Sequence, residues 1–272
     1  MSANDQPRIA LLIDADNAPA EMIDEILTEL STFGVINTRR AYGNWTKAGL
    51  QGWQNKLLQY AIRPMQQFDY SKGKNATDMA MTVDAMELLY TDEPDAYGIV
   101  SSDADFTPLV LHLRGKGAAV YGFGAAQTPQ AFVNACSRFL YFDALVDRGD
   151  GITSRSDRRE QAIAAAAALA DMKIDLKTQV PGDLACGLRV PTHLLQQDRH
   201  LMSILHDAIK ATQDETGWSR VAAMGTHIGN KLSFDARNYG YATLTKLLAA
   251  TQMFELREEG TPRVSVREKP QP

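Results

Sequence analysis

The stretch RIALLID, residues 8–14, limits what this chain can fold into more than any other part of the sequence. Five consecutive apolar residues, Ile9 to Ile13, run without polar alternation into a carboxylate at Asp14. A strand of this kind must be covered on both faces, which is typical of parallel strands enclosed by helices. The first half of the chain is therefore predicted to be an α/β domain.

Strand-like and helix-like segments alternate after this run. Strands are predicted at VINTRRAYG, IRPMQQF, AYGIVSS, AAVYGFG and RFLYFDAL. Helices are predicted between them, and in one of these, DMAMTVDAMELLY, the residues Met79, Val83, Met86 and Tyr90 form one apolar stripe. Such alternation predicts a parallel sheet that is flanked by helices and built from right-handed crossovers.

The composition changes near Arg148, so we predict a first domain at residues 1–148. Residues 149–195 are polar and rich in alanine, which favours a helix but supplies little core. We interpret them as a linker that contains one Ala-rich helix. Residues 196–272 have the pattern of three helices followed by the hairpin MFELREEGTPRVSVRE. This pattern predicts a small winged helix-turn-helix domain.

The charge is distributed unevenly along the chain. Residues 1–148 carry 12 lysines and arginines against 18 acidic residues, whereas residues 199–272 carry 10 against 8. An acidic domain is a poor passive clamp for nucleic acid, because phosphates require cations. The two cysteines match no zinc or redox motif, no apolar run reaches the roughly 18 residues of a membrane helix, and the polar N-terminus resembles no secretory signal. We therefore expect a cytoplasmic protein with reduced thiols.

Carboxylates follow the predicted strands at the places where such sheets bind ligands. Asp14 and Asp16 end the first strand, Asp103 and Asp105 follow AYGIVSS, and Asp78 opens a helix. Ligands of open parallel sheets bind beyond the carboxyl ends of the strands. Carboxylates gathered there repel one another unless they are protonated or bind cations, and Mg²⁺ and Mn²⁺ prefer such oxygen ligands. The sequence thus predicts a metal site that can support phosphate hydrolysis.

Several of these residues also have a simpler structural interpretation. Asp16 or Asn17 could cap the helix that follows the first strand. Asp78 could complement a helix N-terminus, and Asp105 could cap the next helix. Asp84 comes six residues after Asp78, about 120° further round an ideal helix, so we expect it to face away from the carboxylate group.

Three motifs carry a resemblance to a known family: LLIDADN, GKNATDMAMTVDA and GIVSSDADFTPLVLHLRGKGAAVYGFG. Over residues 8–146 the chain resembles NYN domains of the LabA-like branch, within the PIN-like nuclease superfamily. The resemblance implies a PIN-like α/β/α fold, and RNA cleavage with Mg²⁺ or Mn²⁺ as cofactor. It implies metal-binding and catalytic roles for Asp14, Asp78, Asp103 and Asp105. Asp16 is a further candidate ligand from its position.

Matched residue by residue, the same resemblance adds two candidate RNA contacts. Asn17 corresponds to the asparagine of the family's first motif. Lys74 corresponds to the basic residue that precedes the helix aspartate, and it could contact a phosphate. The family often has glycine between the first two polar positions, where this chain has Ala15, which is a mild departure.

The C-terminal segment resembles a second family. GWSRVAAMGTHIGNKL and DARNYGYATLTKLLAATQMFEL carry a likeness to OST-HTH (LOTUS) domains over about residues 196–268. Domains of that family are regarded as RNA-binding winged helices and are found joined to NYN domains. The resemblance therefore implies RNA as the partner of this chain, and the two families in this order support each other.

Basic and aromatic residues alternate in TRRAYGNWTKAGLQGWQNK. Arg39, Arg40 and Lys47 could contact phosphates, while Tyr42 or Trp45 could stack on unpaired bases. The second tryptophan of the stretch, at position 53, could also stack but is interpreted as a core residue. A duplex keeps its bases stacked on one another, so the predicted substrate is single-stranded RNA.

Two other functions remain open from the sequence. LLIDADNA also resembles the first motif of haloacid-dehalogenase-like phosphatases, in which Asp14 would be the nucleophile and Asp16 the general acid-base. That motif usually has Thr or Val where this chain has Ala18, and the pair in SSDADF fits a nuclease better. The other alternative is a non-catalytic RNA-binding regulator with a retained acidic site. The function we predict is a metal-dependent ribonuclease.

Overall fold

The structure is a computed structural model that describes residues 6–68, 76–146 and 189–269. The predicted linker and its Ala-rich helix lie outside the described residues as far as residue 188, and so does Lys74. Two folded units are described, one on each side of this gap.

The larger unit is built on a six-stranded sheet in which all neighbouring strands are parallel. The strands are β1 (Arg8–Asp14), β2 (Val35–Gly43), β3 (Arg63–Gln66), β4 (Ala96–Val100), β5 (Ala119–Gly124) and β6 (Arg138–Tyr141). Their spatial order is β3-β2-β1-β4-β5-β6, so the order reverses between β1 and β4. This reversal is where open parallel sheets bind ligands. The predicted α/β fold is confirmed.

Helices cover both faces of this sheet. They are α1 (Ile23–Leu30), α2 (Trp53–Gln59), α3 (Ala76–Thr91), α4 (Thr107–Gly115), α5 (Gln130–Ala135) and α6 (Phe142–Val146). Ile9, Leu11 and Ile13 of β1 pack on the side of α1, α2 and α6. Ala10 and Leu12 pack on the side of α3, α4 and α5, which explains why RIALLID lacks polar alternation. None of the helices within the described ranges is long and apolar enough to cross a membrane.

The last predicted strand is shorter than expected. β6 ends at Tyr141, and the residues predicted to continue it form helix α6. Phe142 and Leu145 are both buried in the core on the α1 side. Residues three apart share one face of a helix, whereas in a strand they would point to opposite faces of the sheet. Burial of both side chains in one core therefore favours the helix.

Helix α3 buries a different face from the predicted one. Met79, Val83 and Tyr90 are 64%, 63% and 59% exposed. The buried face is formed by Thr77, Met81, Asp84, Ala85 and Leu88. Two of these five residues are polar, so apolar periodicity alone indicated the wrong side of the helix.

The smaller unit combines helices with a three-stranded antiparallel sheet. The helices are α7 (Thr192–Gln197), α8 (Arg199–Thr212), α9 (Val221–Lys231) and α10 (Leu244–Thr251), and the strands are β7 (Ser219–Arg220), β8 (Phe254–Arg257) and β9 (Ser265–Glu268). The sheet order is β7-β9-β8, and β8 and β9 form the predicted hairpin. The unit is a winged helix, with α7 as a helix that the sequence pattern did not indicate.

The two units meet through a buried ionic network. Arg237 of the smaller unit donates from Nη1 and Nη2 to the two carboxylate oxygens of Glu29 on α1, at 2.8 Å each. Arg237 also donates to Asp235, which accepts a further hydrogen bond from Arg138 on β6 at 2.8 Å. Burial alone would raise the pKa of Asp235, but the hydrogen bonds of Arg237 and the charges of both arginines lower it. The buried charges therefore compensate one another.

The same part of the smaller unit covers the free edge of the large sheet. Asn238 donates from Nδ2 to the carbonyl of Phe139 at 3.2 Å, and its Oδ1 accepts from the N–H of Tyr141 at 3.4 Å. Both partners lie on the edge strand β6, whose outward backbone groups would otherwise be open to pairing with another chain. The smaller unit thus docks on the edge of the sheet and leaves β1 and β4 in its centre.

Candidate metal-binding site

Asp14 is fully buried at the carboxyl end of β1. Its Oδ2 accepts hydrogen bonds from Asn17 Nδ2 at 2.9 Å and from Ser101 Oγ at 2.8 Å, whereas its buried Oδ1 has no hydrogen-bond partner among the described residues. Burial raises the pKa of Asp14 despite these two hydrogen bonds, and the charges of Asp16 and Asp103 raise it further. An unpaired buried carboxylate oxygen costs free energy and suits a cation.

The loop after β4 is connected to Asp14 through Ser101. The Ser101 hydroxyl donates to Asp14 and accepts from the backbone N–H of Asp103 at 3.1 Å. Asp103 accepts from the N–H of Asp105 at 2.8 Å and thereby caps the short 3-10 turn Ala104–Phe106. The sequence offered Asp105 as a cap, but the capping carboxylate in this turn is that of Asp103. Asp105 itself is exposed.

Asp78 lies in the first turn of α3, close to the other carboxylates. Burial raises its pKa to about 6, with further contributions from the charges of Asp14, Asp103, Asp105 and Asp16. Charges act in this way only over short distances, because water and salt screen the rest. Hydrogen bonds connect Asp14 through Ser101 to Asp103 and Asp105, and Asp16 to Thr77 beside Asp78, so the structure brings all five predicted carboxylates into one region.

The carboxylate group is not a preformed metal cage. Among the residues that the structure describes, no three Asp, Glu, His or Cys side chains converge as ligands of one ion. The donors nevertheless suit Mg²⁺ or Mn²⁺, since they are carboxylate oxygens, one is buried and unpaired, and a cation would relieve their mutual repulsion. Mg²⁺ usually binds through one or two carboxylates together with waters and substrate phosphates. The residues present therefore fit such an ion.

Asp16 connects two elements at the edge of this group. Its Oδ2 accepts from Thr77 Oγ1 at 3.0 Å, and its Oδ1 lies 3.5 Å from Lys47 Nζ. Asp16 thus holds the turn after β1 against the first turn of α3, next to Asp78. Lys47, a predicted phosphate contact, forms an ion pair beside the carboxylates while its side chain remains 46% exposed.

Arg40 was predicted to contact phosphate, but it lies beneath α3. Arg40 and Tyr42 both donate hydrogen bonds to the carboxylate of Asp84, on the buried face of that helix. Burial raises the pKa of the Tyr42 hydroxyl, and the bond to Asp84 raises it further. Tyr42 is also paired with Asp14 in the β1–β2 ladder. This trio therefore fastens α3, which carries Asp78, to the strand beside Asp14.

The remaining predicted RNA contacts are distributed over the same half of the sheet. Arg39 donates to the carbonyl of Tyr60 at 2.8 Å, at the end of α2. Trp45 is half-buried against the core on the α1 side, which leaves less of its ring for stacking than the sequence indicated. Trp53 is buried, as expected, and donates from Nε1 to the carbonyl of Ala18 at 3.3 Å.

Two residues that organise the site were not identified from the sequence. Ser101 links Asp14 to Asp103, and Thr77 holds Asp16. For Ser101 the signal was a polar residue that directly follows the fully apolar part of β4. For Thr77 the signal was a hydroxyl residue next to the candidate ligand Asp78. That pattern is too common in sequences to identify a functional residue.

Asp78→Asn should stabilise the metal-free protein at pH 7.5 by roughly 1 kcal/mol. The folded-state pKa of Asp78, about 6, lies above its ordinary value of 3.8, so ionisation increasingly penalises the folded state as the pH rises through this window. The whole shift would correspond to about 3 kcal/mol. Partial exposure and the favourable position of a negative charge in a first helical turn reduce it.

Urea denaturation in EDTA measures this effect. The gain in the free energy of unfolding that Asp78→Asn produces should fall by about half at pH 5, where the carboxyl of Asp78 in the folded protein is largely protonated. Asp92→Asn provides the matched control, because Asp92 is exposed just beyond the other end of α3. An equal gain at both pH values, or the same gain in the control, would contradict the assigned electrostatics.

Two family models match this chain. One, described as the NYN domain, matches residues 8–145, and the other, described as the OST-HTH/LOTUS domain, matches residues 193–266. The first match includes every carboxylate of the candidate site. The second includes every helix and strand of the smaller unit except the first residue of α7 and the last two residues of β9.

Individual relatives are similar to part of the chain. An uncharacterized protein of Methanocaldococcus jannaschii is 34% identical over 122 residues, which make up 43% of this chain and 48% of that protein. The chain thus spans about half the length of this curated relative. A solved structure of a protein of unknown function from Vibrio parahaemolyticus matches with a TM-score of 0.43 at 18% identity, over 52% of this chain and 96% of the other.

Proposed function

The chain belongs to the NYN domain family, and on this premise we propose that it is a ribonuclease that uses Mg²⁺ or Mn²⁺. NYN domains are PIN-like nuclease domains, and the smaller unit matches an RNA-associated domain family. The observation that carries the proposal is the unpaired, buried Oδ1 of Asp14, where the strand order of the sheet reverses. Besides burial, the charge of Asp103 raises the pKa of Asp14, and the charges of Asp14 and Asp103 raise the pKa of Asp78.

In this proposal Asp14, Asp78 and Asp103 bind the cation directly or through its waters, with Asp16 and Asp105 at the rim of the site. When bound, such a cation neutralises charge on the scissile phosphate and lowers the pKa of the attacking water. The carboxylates that act as ligands must be deprotonated. Because the pKa of Asp14 and that of Asp78 are raised, affinity for the cation should increase with pH.

The surrounding residues determine how these carboxylates are presented. Ser101 and Asn17 both donate to Oδ2 of Asp14 and leave Oδ1 for the cation. The trio of Arg40, Tyr42 and Asp84 holds α3 against β2, so that Asp78 stays near Asp14. We assign these residues the role of positioning the ligands, and Asn17, which is exposed, also stays a predicted RNA contact.

Single-stranded RNA is the proposed substrate. The first 148 residues are acidic, so a phosphate can approach only with help from cations. Lys47 lies beside Asp16, and Arg39 lies on the neighbouring strand, where both could guide the RNA backbone. Lys74, which lies outside the described residues, stays a prediction from the sequence. The winged helix contributes further affinity.

An assay of three substrates tests this reaction class. The full-length protein is incubated with a 5′-labelled single-stranded RNA, the same RNA as a duplex, and p-nitrophenyl phosphate, each in Mn²⁺ and in EDTA. We expect the single strand to be cleaved fastest, and only in Mn²⁺. Hydrolysis of p-nitrophenyl phosphate without RNA cleavage would instead support the phosphatase, and RNA binding without any hydrolysis would support the non-catalytic regulator.

A further inference from the structure

The outer face of the wing sheet carries a tryptophan surrounded by arginines. Trp218 directly precedes β7, Arg220 ends β7, Arg257 ends β8 and Arg267 lies on β9. The other face of this sheet packs into the core of the smaller unit through Val266. We call these four exposed or half-buried residues the Arg–Trp platform.

The strand register places the platform residues on one face. Arg220 and Arg257 are both paired with Ser265 of β9, and directly opposed residues in an antiparallel sheet share a face. Trp218 is two residues before Arg220, which returns it to the same side. The Cζ atoms of Arg257 and Arg267 lie 4.3 Å and 4.5 Å from the centre of the Trp218 ring.

The arginines of the platform differ in whether their side-chain donors already have hydrogen-bond partners. Arg267 donates from Nε to Glu255 at 2.7 Å and forms an ion pair with the same carboxylate. Within residues 6–68, 76–146 and 189–269, the side chains of Arg257 and Arg220 take part in no hydrogen bond or ion pair. Two guanidinium groups therefore present unused donors beside a partly exposed indole.

We propose that the Arg–Trp platform binds single-stranded RNA by stacking a base on Trp218 or Arg257 while Arg220 and Arg257 contact phosphates. The proposal rests on the proposed RNA substrate and gives it a binding site outside the carboxylate group. Planar guanidinium and indole groups stack on unpaired bases, and arginine donors match phosphate oxygens.

The charge around the platform favours stacking over simple electrostatic attraction. Glu255 neutralises Arg267, and Asp214 accepts the backbone N–H of Trp218 at 3.0 Å and interacts with the charge of Arg257. The platform is therefore only weakly basic in total. Its contribution to binding should therefore depend only modestly on salt. Two phosphate contacts to a single strand should contribute roughly 1.4 to the slope with which the logarithm of the binding constant falls against the logarithm of the salt concentration.

Binding of a fluorescein-labelled single-stranded RNA of 12 nucleotides to the full-length protein, followed by fluorescence anisotropy in EDTA, tests the proposal. EDTA removes the cation that cleavage needs, so this experiment measures RNA binding alone. The proposed platform can therefore be supported even if the protein does not cleave RNA, and it can be rejected even if the protein does. Trp218→Ala should weaken binding by about 5- to 150-fold, the range for loss of one stacked base. Trp218→Phe, which retains an aromatic face, should stay within about threefold of wild type.

The double variant Arg220→Gln, Arg257→Gln should weaken binding and lower the salt slope by about 1.4. Lys210→Gln is the control for charge, because Lys210 is exposed on α8 outside the wing sheet. Thermal melting checks that each variant is folded. The proposal is overturned if the arginine double variant binds the single strand like Lys210→Gln, or if Trp218→Phe loses as much affinity as Trp218→Ala. Equal affinity for the single strand and its duplex would also overturn it.

Discussion

Asp14→Asn should reduce cleavage of single-stranded RNA by about 1,000-fold or more while the protein remains folded. A catalytic cation is worth several kcal/mol of transition-state stabilisation, and each 1.36 kcal/mol corresponds to a factor of ten in rate. Asparagine removes the charge that holds the cation, yet it has nearly the same shape. Because burial raises the pKa of Asp14, its neutral replacement should not destabilise the metal-free fold.

Initial rates of cleavage in Mn²⁺, measured together with RNA affinity in EDTA, check this prediction. RNA affinity should change little, since most of the binding surface is untouched. Asp92→Asn, the exposed control beyond α3, should cleave like wild type. An Asp14→Asn protein with more than a tenth of the wild-type rate would place the active site elsewhere.

Arg237→Ala should destabilise the protein by about 3–5 kcal/mol, the usual cost of leaving a buried charge without its partner. The side chain of Arg237 is 11% exposed and serves two buried carboxylates, Glu29 and Asp235, that belong to different units. Hydrogen bonds to both carboxylates also raise the pKa of Arg237, although burial opposes this. The loss should therefore appear as weaker docking of the winged helix on α1.

Urea denaturation of the full-length protein measures the cost. Arg199→Ala is the matched control, because Arg199 is exposed at the start of α8. Replacing both members of the main pair, in Glu29→Gln with Arg237→Met, should cost less than Arg237→Met alone, since no excess negative charge then remains at Glu29. A loss in Arg237→Ala no larger than in Arg199→Ala would show that the network contributes nothing to docking.

Much of the fold could be predicted because its signals are local. RIALLID has no polar alternation because β1 is packed on both faces, and this pattern is visible in the local sequence. The stripe on α3 misled for the opposite reason. Its buried face includes Asp84, which is satisfied by Arg40 and Tyr42 more than 40 positions away, and a helix-by-helix pattern contains no such information.

The candidate site divides in the same way. Asp14, Asp16, Asp103 and Asp105 could be predicted to lie together because they end or directly follow β1 and β4, whose carboxyl ends meet at one edge of the sheet, whereas Asp78 opens α3. The functions of Ser101 as a link and of Arg40 as an anchor depend on side chains from other elements. The docking of the two units was equally hidden, since Arg237 and its partner Glu29 are separated by 208 positions.

The central claim is that these carboxylates bind a divalent cation, and calorimetric titration of the full-length protein with Mn²⁺ tests it most directly. The wild type should bind Mn²⁺ at pH 7.5, more tightly than at pH 5.5, because the ligands must be deprotonated. The double variant Asp14→Asn, Asp103→Asn should show no heat of specific binding under the same conditions. Equal Mn²⁺ affinity in the wild type and the double variant would contradict the account.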